Sequence, residues 1–145
     1  MLVLITLTSI LLPILTTLLH YETLARLSLI ANGGRLSPRL QVLTLMLLLP
    51  ILHIVEMAIY AATYFFLRDF FDAGELSGDF YDSFSTYLYF SMETYTSLGF
   101  GDLVPHGPAR FLVGMEVLNG LLLIGWSGSF MFIFMQRFWF KNAEN

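Results

Sequence analysis

The sequence predicts an all-α membrane protein, with three transmembrane helices plus a short re-entrant helix and the loop that follows it. First, the 145 residues are 57% hydrophobic and only 12% charged, against about 25% charged in an ordinary soluble domain. Second, the apolar stretches Leu2–Leu19, Leu40–Leu67 and Ala109–Phe138 each approach or exceed the roughly 20 residues that cross a bilayer. Third, the aromatic-rich segment Ser83–Tyr95 is too short to cross and is followed at once by a run containing Gly99 and Gly101. A short helix that enters and leaves by the same face suits that pattern.

The first stretch carries Pro13 but no charge. It lacks the basic start and small-residue cleavage site of a secretory signal, which favours a retained helix. Residues 1–39 are therefore an N-terminal helix and linker, with Asn32, Gly33, Gly34, Ser37 and Pro38 marking a turn. Residues 40–140 form the second unit: an outer helix at 40–67, the short helix at 83–95, the glycine loop at 97–101 and an inner helix at 109–138. Asp82 or Ser83 can cap the short helix. Pro105, Gly107 and Pro108 break the chain before the last helix.

Charge sets the expected orientation. Arg26, Arg35 and Arg39 lie between the first two helices, and Arg137 and Lys141 near the end of the chain. The excess of basic residues in cytoplasmic loops puts both regions inside and the N-terminus outside. Asp69, Asp72, Glu75, Asp79 and Asp82 then face outward, either as a solvated loop or as acids that raise the local concentration of cations. A pI near 5.1 argues against nucleic acid as a partner. With no cysteine, neither a disulfide framework nor a thiolate metal site is available.

Irregular backbone at membrane depth survives where it lines a water-filled path or is buried in protein. Rings of backbone carbonyls can replace the water shell of a potassium ion. Aiming successive carbonyls one way needs unusual dihedrals at alternate residues, which glycine tolerates. Gly99 and Gly101, one aromatic apart, meet that need. The carbonyls of Ser97, Leu98, Gly99 and Phe100 are then the expected ion ligands, with Leu98 and Phe100 side chains packed behind them. The short helix aims its negative end at the same path. One loop cannot encircle an ion, so four chains around one axis are expected.

Ser97-Leu98-Gly99-Phe100-Gly101-Asp102 resembles the potassium-channel filter T-V-G-Y-G-D. Serine and phenylalanine occur together in the S-V-G-F-G filter of the ether-à-go-go family; Leu98 is the departure. Glu93-Thr94-Tyr95-Thr96-Ser97 is similar to the E-T-x-T-T run of prokaryotic two-helix potassium channels, and Pro105 and Arg110 match that family's post-filter loop. The similarity covers about residues 41–138, with the first helix an addition. It implies a homotetrameric potassium channel of a prokaryotic inner (plasma) membrane, with K+ as the permeant ion and no organic cofactor. It also implies a carboxyl pair, Glu93 and Asp102, behind the filter, with Thr96 supporting it and Gly120 at the inner-helix hinge.

Other residues carry weaker expectations. His53 and Glu56 share a helix face, either as a proton sensor or as hydrogen-bond partners of Asn119, Ser127 or Trp126. Glu116 is expected to pair with Arg68 or Arg110, with attraction of cations near the filter as the alternative. Gly120, Gly125 and Gly128 permit close helix approach or bending. Phe134, among the aromatics of Phe130–Phe140, is a possible gate by dewetting, against membrane anchoring. Thr6, Ser9, Pro13, Thr16 and Thr17 form one side of the first helix, suited to packing on the second. A weakly selective cation channel and a non-conducting subunit are the alternatives within the membrane. No nucleophile–base arrangement and no metal cluster is read from the sequence, so an enzyme is not expected.

Overall fold

The computed structural model describes residues 2–32, 37–71, 76–78 and 83–141. Three long helices dominate it: α1 (Leu2–Asn32), α2 (Pro38–Phe71) and α4 (Ala109–Lys141). Each is long and apolar enough to cross a membrane. The short helix α3 (Phe84–Tyr95) lies between α2 and α4 in sequence and packs on both. Ser83 stands at its N-cap with extended dihedrals, its hydroxyl meeting those of Ser85 and Thr86. Residues 33–36, within the expected turn, and the acids Asp72, Glu75, Asp79 and Asp82 lie outside the described residues.

Two buried clusters set the order of the helices. Near one end, Ile5 and Leu12 of α1 meet Tyr60, Tyr64 and Leu67 of α2, Tyr87, Phe90 and Tyr95 of α3, and Leu112 of α4. At the other end, Leu24 and Leu27 of α1 meet Leu45 and Leu49 of α2, and Met131 and Phe134 of α4. So α1 runs antiparallel to α2 and parallel to α4, and its start lies at the same end as the α2–α4 connection.

One expectation is corrected here. The polar side of α1 meets α4 as well as α2: Thr17 Oγ1 donates to Asn119 Oδ1 at 3.2 Å, and Asn119 Nδ2 donates to Thr16 Oγ1 at 2.6 Å and to the Tyr60 hydroxyl at 3.1 Å. Lipid is as apolar as leucine, so such polar bonds and close packing, rather than water exclusion, hold spanning helices together. Phe134 is buried against Phe130, with ring centroids 4.7 Å apart, inside the cluster of α1, α2 and α4.

A small sheet adds to the helices. Strand β1 (Leu76–Gly78) pairs antiparallel with β2 (Leu103–Pro105), in register Leu76 to Pro105 and Gly78 to Leu103. Gly78 has φ +120°, and a Cβ there would lie 1.8 Å from the Asp102 carbonyl oxygen. Only glycine lets the two backbones approach so closely. The connection after α2 is thereby fastened to the segment after the glycine loop.

Candidate functional site

The loop at 97–101 leaves α3 at Thr96, whose N–H and hydroxyl both reach the Met92 carbonyl, at 3.2 and 2.7 Å. From there the backbone alternates. Ser97, Gly99 and Gly101 have φ of 57°, 55° and 80°, in the left-handed region, while Leu98 and Phe100 are not among the positive-φ residues. Glycine adopts this conformation freely, but serine does so at a cost of roughly 1–2 kcal/mol. Serine gives no sequence signal for such strain, and Ser97 was not expected to share the glycines' conformation.

Glu93 holds the strained loop from one side. Its carbonyl accepts the N–H groups of Leu98 at 2.8 Å and Gly99 at 3.2 Å, and its Oε2 accepts the Phe100 N–H at 3.0 Å. Three successive N–H groups thus point at one residue. Among the described residues there is no cis peptide, so each carbonyl points opposite to the N–H that follows it. The carbonyls of Ser97, Leu98 and Gly99 are therefore all turned away from Glu93. A residue that supplies both a main-chain and a side-chain acceptor fixes their direction.

Asp102 stands just beyond. Its Oδ2 accepts the Tyr89 hydroxyl at 2.9 Å, and its Oδ1 accepts the N–H of Leu103 at 3.1 Å. Burial pushes the Glu93 carboxyl above the usual carboxylate range; the Phe100 N–H opposes this and the Asp102 charge adds to it. The Glu93 carboxyl thus senses Asp102, which is itself anchored by a tyrosine that sequence reasoning did not single out. A cavity of about 300 Å³ lies between this loop, α3 and α4, lined by Phe90, Thr94, Val113 and Val117 among others. The Leu98 and Phe100 side chains, expected to pack behind the loop, are 60% and 67% exposed on the single chain.

Behind the loop, buried polar groups join all four helices. Glu116 was expected to meet an arginine; instead it accepts the Tyr64 hydroxyl at 2.6 Å and the Ser91 hydroxyl at 2.5 Å. Arg68 donates to the Tyr87 hydroxyl and Arg110 to the Pro105 carbonyl. Gly120 lies directly beneath the end of α3, where a Cβ would come within 2.3 Å of the Tyr95 carbonyl oxygen; α4 is helical on either side of it. At Gly125 and Gly128 a Cβ would meet nothing within 4 Å.

His53 does bond Ser127, as one expectation had it, at 3.1 Å, but Asn119 and Trp126 go elsewhere. The larger surprise is His20 of α1. Its Nδ1 lies 2.9 Å from Glu56 Oε1, and His53 Nδ1 lies 3.1 Å from Glu56 Oε2. No metal cluster is read from the sequence, but the fold brings ligand atoms of His20, His53 and Glu56 within 4.8 Å of one another. Continuing the Thr16–Thr17 stripe by one turn leads to His20; the apolar stretch had been ended one residue short of it.

A family model described as an ion channel matches residues 52–137, which span the second half of α2, α3, the glycine loop and most of α4. No curated protein matches, and no solved structure does. The matched segment covers more than half of the chain and contains every residue of the loop and its supports, so this chain belongs to that ion-channel family.

Proposed function

We propose that the chain is one subunit of a homotetrameric, potassium-selective channel whose filter is Ser97-Leu98-Gly99-Phe100-Gly101. The observation that carries this reading is the anchoring of three consecutive N–H groups on Glu93, which turns the carbonyls of Ser97, Leu98 and Gly99 together to the opposite side. Four such loops around an axis would give stacked oxygen rings in place of an ion's water shell. Assembly would also cover the exposed Leu98 and Phe100 side chains with neighbouring subunits. Glu93 and Asp102 brace the loop, and Thr96 ends the helix that points at it. In this reading α4 lines the path. The filter opens at the outer face of a plasma membrane, with the N-terminus outside and the C-terminus in the cytoplasm.

A weakly selective cation channel is the second reading. It rests on Leu98, bulkier than the residue usual at its position and dependent on neighbouring chains for packing space. One experiment separates the two. Purified protein is sized, reconstituted in liposomes and assayed for flux, with reversal potentials in potassium against sodium. The expected result is a tetramer with strong potassium preference. Similar permeability to both ions would favour the second reading, and a monomer would sink both. Gly99→Ala places a Cβ at φ +55°, at a cost of about 1–2 kcal/mol in each subunit. It is expected to abolish flux while leaving the tetramer intact.

A further inference from the structure

A buried polar cluster stands where α1, α2 and α4 meet the end of α3. Its contacts are His20 Nδ1 to Glu56 Oε1 at 2.9 Å, and His53 Nδ1 to Glu56 Oε2 at 3.1 Å and to the Tyr95 hydroxyl at 3.0 Å. Tyr95 also donates to Glu56 Oε2 at 2.6 Å, and Ser127 Oγ meets His53 Nε2 at 3.1 Å and His20 Nε2 at 3.2 Å. With neutral rings and an ionised Glu56, each histidine, Ser127 and Tyr95 supplies a single hydrogen. Those hydrogens fill the contacts of Tyr95, Ser127 and one Nδ1. The other Nδ1 is left with its lone pair facing a carboxylate oxygen. Moving the hydrogens between rings shifts the gap without closing it. Glu56 and His20 are fully buried, and an uncompensated charge at such a place is costly.

We propose that this cluster is a binding site for a divalent transition-metal ion of the zinc class, held by His20 Nδ1, His53 Nδ1, Glu56 and the Tyr95 hydroxyl oxygen. Both rings turn the same nitrogen toward Glu56 and the opposite nitrogen toward Ser127 Oγ. That is how metal-binding histidines are oriented, with the far nitrogen donating to an outer partner; the two lone pairs of one hydroxyl serve both rings here. A tetrahedral ion would engage His20, His53, Glu56 and Tyr95 together. Zinc–nitrogen bonds of about 2.0–2.1 Å separate tetrahedral ligands by roughly 3.3 Å. The donors stand 2.6–3.1 Å apart along the observed contacts, and ligand atoms of His20, His53 and Glu56 all lie within 4.8 Å of one another. On binding, both rings keep the hydrogen on Nε2. Any proton shared between Glu56 and the rings is released, as is the Tyr95 hydroxyl proton if the phenolate forms. With four protein donors, two of them on the fully buried His20 and Glu56, the site is of the closed, structural kind.

The test uses the full chain, stripped with a chelator and titrated with Co2+, whose d–d absorption reports tetrahedral coordination. The expected result is about one Co2+ per chain, displaced by Zn2+, as for a closed four-donor site. His20→Gln and His53→Gln should each weaken binding at least tenfold, and Ser127→Ala by about 10–100-fold through loss of ring orientation. His106→Gln, on the exposed turn after β2, should leave binding unchanged. If the histidine variants fail to fold, judged by circular dichroism and elution, Ser127→Ala decides. Folded protein that takes up no Co2+ would overturn the proposal and leave a hydrogen-bonded cluster closed by a proton. Co2+ bands unaffected by the cluster variants would place the ion elsewhere and overturn it equally. Neither readout depends on conduction.

Discussion

At the scale of single residues, two positions decide how the loop is held. Gly120 works by absence: nothing larger than hydrogen fits beneath the Tyr95 carbonyl. In Gly120→Ala either α3 is lifted off α4 or the helices separate, and overpacking of this kind costs about 1–3 kcal/mol. The expected outcome is a lower unfolding midpoint in detergent together with reduced flux. A variant as stable as the wild type would show that α3 can move without strain. Glu93 works by presence. Its carboxyl is raised above the usual range, so the folded chain binds that proton more tightly than the unfolded chain. Stability therefore rises as pH falls through the window between the ordinary and the raised value, and is lost again as pH climbs. Glu93→Gln retains an oxygen acceptor for the Phe100 N–H but cannot titrate. It is expected to remove this part of the pH dependence, read from unfolding midpoints across mildly acidic pH.

At the scale of elements, Asn119 ties α4 to α1 and α2. Replacing it with leucine leaves the hydroxyls of Thr16, Thr17 and Tyr60 without that partner. Leaving buried polar groups unmet costs roughly 1–3 kcal/mol, more than the about 0.6 kcal/mol averaged for an interhelical hydrogen bond in a membrane protein. The unfolding midpoint of Asn119→Leu should fall accordingly, and an unchanged midpoint would mean that α1 is held by apolar packing alone. Elements of this kind were legible in the sequence to different degrees. The spanning helices showed themselves by length and apolarity, and α2 and α4 run only a few residues past the expected ends. The short helix was legible because it was too short to cross. The β1–β2 pair was not, because three-residue strands such as Leu-Ser-Gly carry no alternation to read. Partners were harder still. Glu116 has arginines at plausible spacing, but which side of a helix meets which neighbour is settled by packing, and hydroxyls reached it first. Of the loop, the glycine conformations were readable from residue type; the strain at Ser97 and the grip of Glu93's own carbonyl were not.

At the scale of the whole molecule, membership of the ion-channel family covers residues 52–137, while the polar contacts do not stop at that boundary. Thr16, Thr17 and His20 of α1 reach Asn119, Glu56 and Ser127. The first helix is thus stitched into the pore unit rather than leaning on it. The apolar side chains along the outward faces of all three spanning helices, from Leu7 and Leu11 to Phe132 and Ile133, are exposed on the chain and are left for lipid.

The His20–Glu56 contact also bears on how the chain is made. A ribosome delivers α1 to the translocon before α2, so His20 is already in the bilayer when Glu56 arrives. A charged residue at the middle of an inserting helix carries an apparent cost of roughly 2.5–3.5 kcal/mol, and a waiting imidazole offsets part of it. In a glycosylation-reporter assay of co-translational integration, His20→Leu should make α2 integrate less completely. Combining it with Glu56→Leu should restore integration, and equal efficiency in all three chains would mean that Glu56 enters the bilayer without help.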